Sequence, residues 1–448
     1  MNISNYNSIF FIGIGGIGMS ALARYFKSRG KLVAGYDRTP SDITKALENE
    51  GIAVHFVDSV GQIDRDYKNI ESTLVVYTPA IPEDCEELDY FQKNGFDVLK
   101  RARVLAEIAN HGKSIAVGGT HGKTTTSSLI THIFNQNKAV ASAFLGGIAK
   151  NAGTNFISGS TNTIILEADE FDRSFHQLEP DIALITAMDA DHLDIYGTEA
   201  AIKEAFQGFA KRVKPNGKLV YRVGLPLTGI SYGLTADADY SATEIRIENG
   251  TYGFTLNTPA GEKVTISTGL PGRHNVENAV GAAAVCLEFG LTMDKVAKGI
   301  ASFNGVSRRF DVKVNTESCV YIDDYAHHPE EIRAFLNSVR ELYPKKKITA
   351  IFQPHLYSRT RDFAEGFAET LALADELVLL DIYPAREKPI PGVTGTWLFN
   401  KIELKNKHLI DKKEVKDWVA AKRPELLVTL GAGDIDRLVQ PLTDLLSA

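Results

Sequence analysis

Short unbroken apolar runs alternate along this chain with stretches of helical period. SIFFIGI (Ser8 to Ile14) and KLVAGY (Lys31 to Tyr36) read as buried strands, with a helix from Met19 to Arg29 between them. TLVVYTPA holds another strand. A strand covered by helices on both faces is apolar at every position rather than at alternate ones. The pattern predicts a first βαβ domain over residues 1–106.

A second βα unit opens at SIAVGGTHGKTTT, with Ser114 to Val117 as its strand, and TIILEADE and DIALITAMDADH add two more. Between Asp239 and Leu270 the period changes to two, around Asn249-Gly250 and Pro259-Ala260-Gly261. Such alternation about turn residues predicts antiparallel hairpins, a small sheet added to the central domain. Helical patterns return from Asn275 to Phe289 and from Met293 to Ser302. In the last region VYIDD, ITAIF, ELVLL and ELLVTL are four short apolar runs separated by helix-length segments. The predicted fold class is α/β in three domains. A Rossmann-like N-terminal domain covers 1–106, a P-loop-type central domain with a small antiparallel addition 107–311, and a Rossmann-like C-terminal domain 312–448.

Composition changes this picture little. At 448 residues the chain suits about three domains, and 44% apolar with 23% charged residues is ordinary globular usage. A net charge of −7 leaves no excess of cations for a nucleic-acid backbone, so no nucleic-acid partner is expected. Cys85, Cys286 and Cys319 are odd in number and widely spaced, which argues against a disulfide framework or a zinc site. No run approaches the ~20 apolar residues of a membrane helix, and MNISNYNSIFFIGIGG has no basic region before its apolar stretch. A soluble cytoplasmic protein without a membrane partner is expected.

Two glycine loops carry candidate chemistry. Gly118-Gly119-Thr120-His121-Gly122-Lys123-Thr124 follows a strand and precedes a helix. Backbone N–H groups at such a turn cradle phosphate, a lysine reaches the β/γ-phosphates, and a Thr hydroxyl can hold Mg²⁺. The Walker spacing would need a glycine at Val117, so the loop is one residue short. Gly13-Ile14-Gly15-Gly16-Ile17-Gly18 fits G-x-G-x-x-G, with Asp37 19 residues beyond Gly18. This resembles a dinucleotide fingerprint but does not say which nucleotide binds. A nicotinamide-dependent oxidoreductase and a purely structural glycine turn both remain open on this feature alone.

Carboxylates and histidines cluster after the predicted strands. Glu167-Ala168-Asp169-Glu170 follows Ile164-Ile165-Leu166, and Asp191-His192 ends another strand of the same region. Acids at strand ends beside a phosphate loop are where P-loop enzymes hold Mg²⁺. A solvated acidic loop and a helix-capping histidine are the alternatives. In the third region Asp323-Asp324-Tyr325-Ala326-His327-His328-Pro329 and Gln353-Pro354-His355-Leu356-Tyr357-Ser358-Arg359-Thr360-Arg361-Asp362 both follow strands. Pro329 is placed to open a helix, and Arg359 and Arg361 suit carboxylate or phosphate.

Taken together, these motifs resemble the Mur ligases of bacterial peptidoglycan synthesis, over essentially the whole chain. G-T-H-G-K-T at Gly119 to Thr124, E-A-D-E at Glu167 to Glu170, D-H at Asp191-His192 and H-N-x-x-N at His274 to Asn278 stand in the family's order. R-R-F-D at Arg308 to Asp311 and D-D-Y-A-H-H-P at Asp323 to Pro329 follow. I-G-G-I-G-M-S at Ile14 to Ser20 and F-Q-P-H-x-Y-S-R-T-R-D at Phe352 to Asp362 look like the members that join L-alanine to UDP-N-acetylmuramate. They look less like the members that recycle a murein tripeptide.

The resemblance implies ATP, with Mg²⁺ or Mn²⁺, as cofactors and UDP-N-acetylmuramate and L-alanine as partners of a cytoplasmic monomer or homodimer. It implies Gly119, Thr120, His121, Gly122, Lys123, Thr124, Thr125, Asn275 and Asn278 at ATP, joined by Arg309 and Asp324 from the third domain. Thr124, Glu167 and His192 become metal ligands. Gly13, Gly15, Gly16, Gly18 and Asp37 become the UDP-sugar site. His328 and Arg359 become amino-acid contacts, and Lys123, Glu167, His192, Arg309, Asp324 and His328 the catalytic set. Two positions depart from the family: Ala187 where Asn is common, and Leu356 where Arg is frequent.

Overall fold

The computed structural model describes residues 3–82, 84–138, 140–191, 193–248, 250–385 and 387–447. Its strands form three sheets. In the first, parallel strands stand in the order Ala53–His55, Leu32–Tyr36, Ser8–Ile12, Thr73–Tyr77, Asp97–Lys100. Ser8–Ile12 is central and buried at every position, which explains its unbroken apolar sequence. The strand stops at Gly13, where φ is +86°. The Gly13 and Ile14 N–H groups both donate to the Tyr36 carbonyl, at 2.8 and 3.0 Å. The chain then enters helix Ile17–Ser28. Strand order reverses at Ser8–Ile12, so the glycine loop sits at the switch point where open α/β sheets take ligands.

In the second sheet Lys113–Gly118 lies between Thr163–Ala168 and Ile182–Ile185, parallel to both. Outside Thr163–Ala168 comes a hairpin, Ser142–Ala149 with Thr154–Ile157. On the other side stand Lys218–Arg222 and Ile230–Gly233. Tyr240–Glu248 joins next through Tyr232↔Tyr240, and Thr251–Asn257 and Lys263–Thr268 follow in order. The expected hairpins therefore continue the central sheet rather than making a small separate one. Asn249 of the predicted turn lies outside the described residues.

The third sheet runs Asp311–Asn315, Val320–Asp324, Leu426–Leu430, Ile348–Phe352, Glu376–Leu379, Lys407–Leu409. Only Asp311–Asn315 is antiparallel to its neighbour. It is an edge strand with half its positions facing out, so DVKVN carried no apolar run to announce it. The cut expected after 311 falls one residue inside it. The cut expected at 106 falls inside helix Arg101–Asn110, which continues for another turn.

The chain packs as two compact units. The first comprises Met1–Ser241, Asn257–Val264 and Asn278–Ile300, and the second Ala242–Leu256, Thr265–Glu277 and Ala301–Ala448. Within the first unit one apolar cluster runs from Phe11, Met19 and Phe26 through Leu105 and Ile108 to Phe144, Phe156 and Ile164. The N-terminal and central sheets thus share a core. Within the second unit, Ile322, Phe335, Leu336 and Val428 fill one face of the third sheet, and Tyr321, Ile351, Val378 and Leu427 the other. No helix among the described residues is long and apolar enough to cross a membrane.

Candidate active site

The second glycine loop leaves strand Lys113–Gly118 and enters helix Lys123–Gln136. Gly119 has φ +137°, and a Cβ there would lie 2.0 Å from Thr186 Oγ1, so only glycine fits. Thr120 N–H donates to the Ala187 carbonyl at 3.2 Å, and Asp189 N–H donates to Thr120 Oγ1 at 3.2 Å. Ala187 therefore braces the loop through its backbone. His121 Nε2 faces Asp189 at 3.5 Å. Thr125 is buried in the first turn of the helix. Asn278 comes against the loop, its Oδ1 2.7 Å from where a Gly122 Cβ would be. Asn275, one turn earlier on helix Arg273–Phe289, donates to the Pro271 carbonyl at 2.6 Å.

Lys123 Nζ donates to both Glu170 oxygens at 2.7 Å and to the Gly119 carbonyl at 2.6 Å. Burial pulls the ammonium down, but Glu170, with Asp169 and Glu167 beyond it, raises it above the ordinary lysine value overall. The lysine is therefore held charged at the loop. Glu167 collects three donors: Thr124 Oγ1 at 3.2 Å, Ser127 Oγ at 3.3 Å and Gly146 N–H at 2.6 Å. A Cβ on Gly146 would come within 2.5 Å of Glu167 Oε2, so a side chain there would displace the carboxylate.

Among the described residues no group of three His, Cys, Asp or Glu side chains suited to a metal gathers at one point. His192, the third expected ligand, lies outside the described residues. Thr124 Oγ1 and Glu167 Oε2 nevertheless converge on one spot at the loop, and both are the oxygen donors a hard divalent cation prefers. The residues present fit such an ion.

At the first glycine loop, Gly15 N–H donates to Asp37 Oδ2 at 2.7 Å, and Thr39 N–H donates to Asp37 Oδ1 at 3.1 Å. Asp37 thus shapes the loop itself. Gly16 caps helix Ile17–Ser28. Arg101 approaches Gly18 and pairs with Asp169 at 2.8 Å. A cleft of about 370 Å³ joins the two loops. Gly16, Ile17 and Gly18 line it on one side and Lys123, Gly146 and Glu167 on the other. Arg101, Ser127 and Gly146 escaped the sequence reading. No local motif marks them; their roles come from strands and helices far apart in sequence.

In the second unit, Asp324 accepts from Phe310 N–H at 2.6 Å and Ala326 N–H at 2.7 Å. Burial pushes its carboxyl up to about 6, although nearby Arg309 and those two N–H groups pull it down. Arg309 also faces the Tyr325 ring at 4.9 Å and Glu331 at 3.7 Å. His274 is held down at about 4, by burial first and by Arg309 second. His328 is the N-cap of helix Pro329–Leu342. Its Nδ1 accepts from Glu330 N–H at 3.3 Å, and its ring meets Phe363 edge-on at 4.7 Å. Arg359 is buried on the short helix Tyr357–Asp362, whose cap Leu356 has φ +69°.

Fold and site together define an α/β enzyme class with a phosphate loop and a second glycine loop opening on one cleft. Residues 8–113 match the family description "Mur ligase family, catalytic domain", 117–286 "Mur ligase middle domain" and 308–435 "Mur ligase, glutamate ligase domain". The chain belongs to the Mur ligase family. It is 51% identical to UDP-N-acetylmuramate–L-alanine ligase of Flavobacterium psychrophilum over 98% of both chains. It is 48% identical to the same-named ligase of Flavobacterium johnsoniae, over 100% of this chain and 99% of the other. The crystal structure of UDP-N-acetylmuramate-alanine ligase from Thermotoga maritima matches with TM-score 0.84 at 26% identity, covering 98% of each chain. A murein peptide ligase from Psychrobacter arcticus shares the fold, with TM-score 0.71 at 20% identity over 98% of this chain and 99% of that one.

Proposed function

We propose that this chain joins L-alanine to the lactyl carboxylate of UDP-N-acetylmuramate at the expense of ATP, as a cytoplasmic enzyme of peptidoglycan precursor synthesis. The observation that carries the reading is the shared cleft: the helix start expected to hold the UDP-sugar opens on the same cavity as Lys123 and Glu167. The names of the relatives, UDP-N-acetylmuramate–L-alanine ligases, supply the amine.

A carboxylate is a poor acyl donor, so it must first attack the ATP γ-phosphate, giving an acyl phosphate and ADP. Two anions approach in that step, and the requirement is positive potential where they meet. Lys123, held charged, and the N–H groups at the start of helix Lys123–Gln136 supply it. Thr124 and Glu167, with His192, are the residues that would hold Mg²⁺ or Mn²⁺. Such a cation, when bound, neutralises phosphate charge. The alanine amine then attacks the acyl carbon, and phosphate leaves. Arg309 and Asp324 are assigned to ATP, and Arg359 to the amino acid. The alanine ammonium must lose a proton before it attacks; His328, the N-cap of helix Pro329–Leu342, is the candidate base, and substrate phosphate or water the alternative.

Phosphate release is the test. Protein, ATP, Mg²⁺ and UDP-N-acetylmuramate should release phosphate on adding L-alanine and stay silent with murein tripeptide. Release with the tripeptide alone would transfer the assignment to the recycling activity.

A further inference from the structure

Asn155 sits on the hairpin strand Thr154–Ile157 of the central sheet and is completely buried. Its Nδ2 donates to the Ile17 carbonyl at 2.5 Å and to Ser20 Oγ at 3.0 Å. Its Oδ1 accepts from Arg24 Nη1 at 2.5 Å. Arg24 is fixed in turn by Glu50, with its Nε 2.9 and 2.8 Å from the two carboxylate oxygens. Ser20 Oγ closes the group by donating to the Ile17 carbonyl at 3.0 Å. Ile17, Ser20 and Arg24 all belong to the helix that begins at the first glycine loop.

The surroundings are apolar. The Tyr25 ring lies 5.4 Å from Phe144 and 6.0 Å from Phe156. Aromatic packing alone would hold this seam but would not set a register along the helix axis. A buried amide with all its groups bonded costs little, and its bonds are directional. The other strand of the same hairpin, Ser142–Ala149, carries Gly146, whose N–H holds Glu167 at 2.6 Å. One hairpin therefore grips the helix of the first loop with one strand and the carboxylate beside the second loop with the other.

We propose that Asn155 is a positioning residue. It holds the first turn of helix Ile17–Ser28 at a set distance from Lys123 and Glu167, so that the sugar's carboxylate meets the γ-phosphate. The inference rests on the functional reading above. Misplacement of a reactant by about 1 Å costs on the order of a hundredfold in rate, so a small shift of this turn is enough to be measured.

The test separates binding from turnover. Calorimetry with UDP-N-acetylmuramate and phosphate-release kinetics are run on the wild type and on Asn155→Ala, Asn155→Asp and Ser20→Ala. Asn155→Ala should lower kcat about a hundredfold and raise both the Kd and the KM for the UDP-sugar about tenfold, the loss of about 1.4 kcal/mol, with KM for ATP unchanged. Asn155→Asp keeps an acceptor for Arg24 but loses the donors to Ile17, so it should resemble Asn155→Ala. Ser20→Ala removes the two bonds of its hydroxyl and little volume but leaves those of Asn155 to Ile17 and Arg24, so it should give a smaller rise and serves if the Asn155 variants do not fold. Wild-type kcat and UDP-sugar Kd in a folded Asn155→Ala would overturn the inference, as would a KM for ATP raised as much as that for the UDP-sugar, or wild-type behaviour of Asn155→Asp. Failure of the wild type itself to bind the UDP-sugar would instead overturn the functional reading, and the inference with it.

Discussion

Lys123 Nζ stands 2.7 Å from both carboxylate oxygens of Glu170, whose side chain is only 4% exposed. The pair keeps the lysine charged at the loop before any phosphate arrives. Lys123→Ala should cut phosphate release by about a thousandfold or more, because no other side chain of the loop brings a fixed positive charge. Binding of UDP-N-acetylmuramate, followed by calorimetry, should survive. The variant also takes the Lys123 ammonium away from the buried Glu170 carboxylate, and breaking a buried ion pair costs about 3–5 kcal/mol. Adding Glu170→Gln should recover part of that stability in urea melts without recovering activity. Turnover by Lys123→Ala would refute the assignment.

Glu167 is held by Thr124, Ser127 and Gly146 N–H at the place where a cation fits. Chelation followed by gel filtration should abolish phosphate release, and Mg²⁺ or Mn²⁺ should restore it. Glu167→Gln should raise the Mg²⁺ concentration for half-maximal rate about tenfold, since a neutral amide attracts the ion less. An unchanged Mg²⁺ dependence would remove Glu167 from the metal site.

His274 and Asp324 make opposite contributions to stability across the same pH range. His274 is shifted down to about 4, so between about 4 and its ordinary 6.5 the unfolded chain binds more protons there. Its share of stability is present above 6.5 and is lost as pH falls. Asp324 is shifted up to about 6, so between its ordinary 3.8 and about 6 the folded chain binds more protons. Its share is present at low pH and is lost as pH rises through 6. Arg309 lowers both groups and Glu331 raises both. In urea melts between pH 4 and 6.5, the stability of wild type minus that of His274→Gln should rise with pH. Wild type minus Asp324→Asn should fall over pH 4 to 6. Equal signs for the two differences would show that one group is not shifted as described.

Local pattern was enough for the elements that carry the glycine loops. Ser8–Ile12 and Lys113–Gly118 are central strands buried on both faces, so their apolar runs and the glycines after them had one reading. Pro329 likewise marked the start of helix Pro329–Leu342. Edge strands were less legible. Asp311–Asn315 and Lys407–Leu409 keep half-exposed positions, and the hairpin strand Ser142–Ala149 contains Gly146 and Gly147, which break its apolar run.

The order of motifs along the chain was thus enough to specify the two glycine loops, the acids behind the second and the family to which they belong. Those features depend on contacts within a few residues, on backbone conformations that only glycine adopts, and on apolar periodicity. Tertiary structure alone decided how the loops meet. Arg101 with Asp169, Gly146 with Glu167 and Asn155 with Ile17 are pairs separated by up to 138 residues. The Gly146 bond forms once two strands of one sheet have paired, the Arg101 and Asn155 bonds only after two sheets have packed around a shared core, and no spacing in the sequence encodes those distances. The same holds for the carboxyl of Asp324: its motif showed an acid, but burial, opposed by Arg309 and by the N–H groups of Phe310 and Ala326, sets its proton affinity.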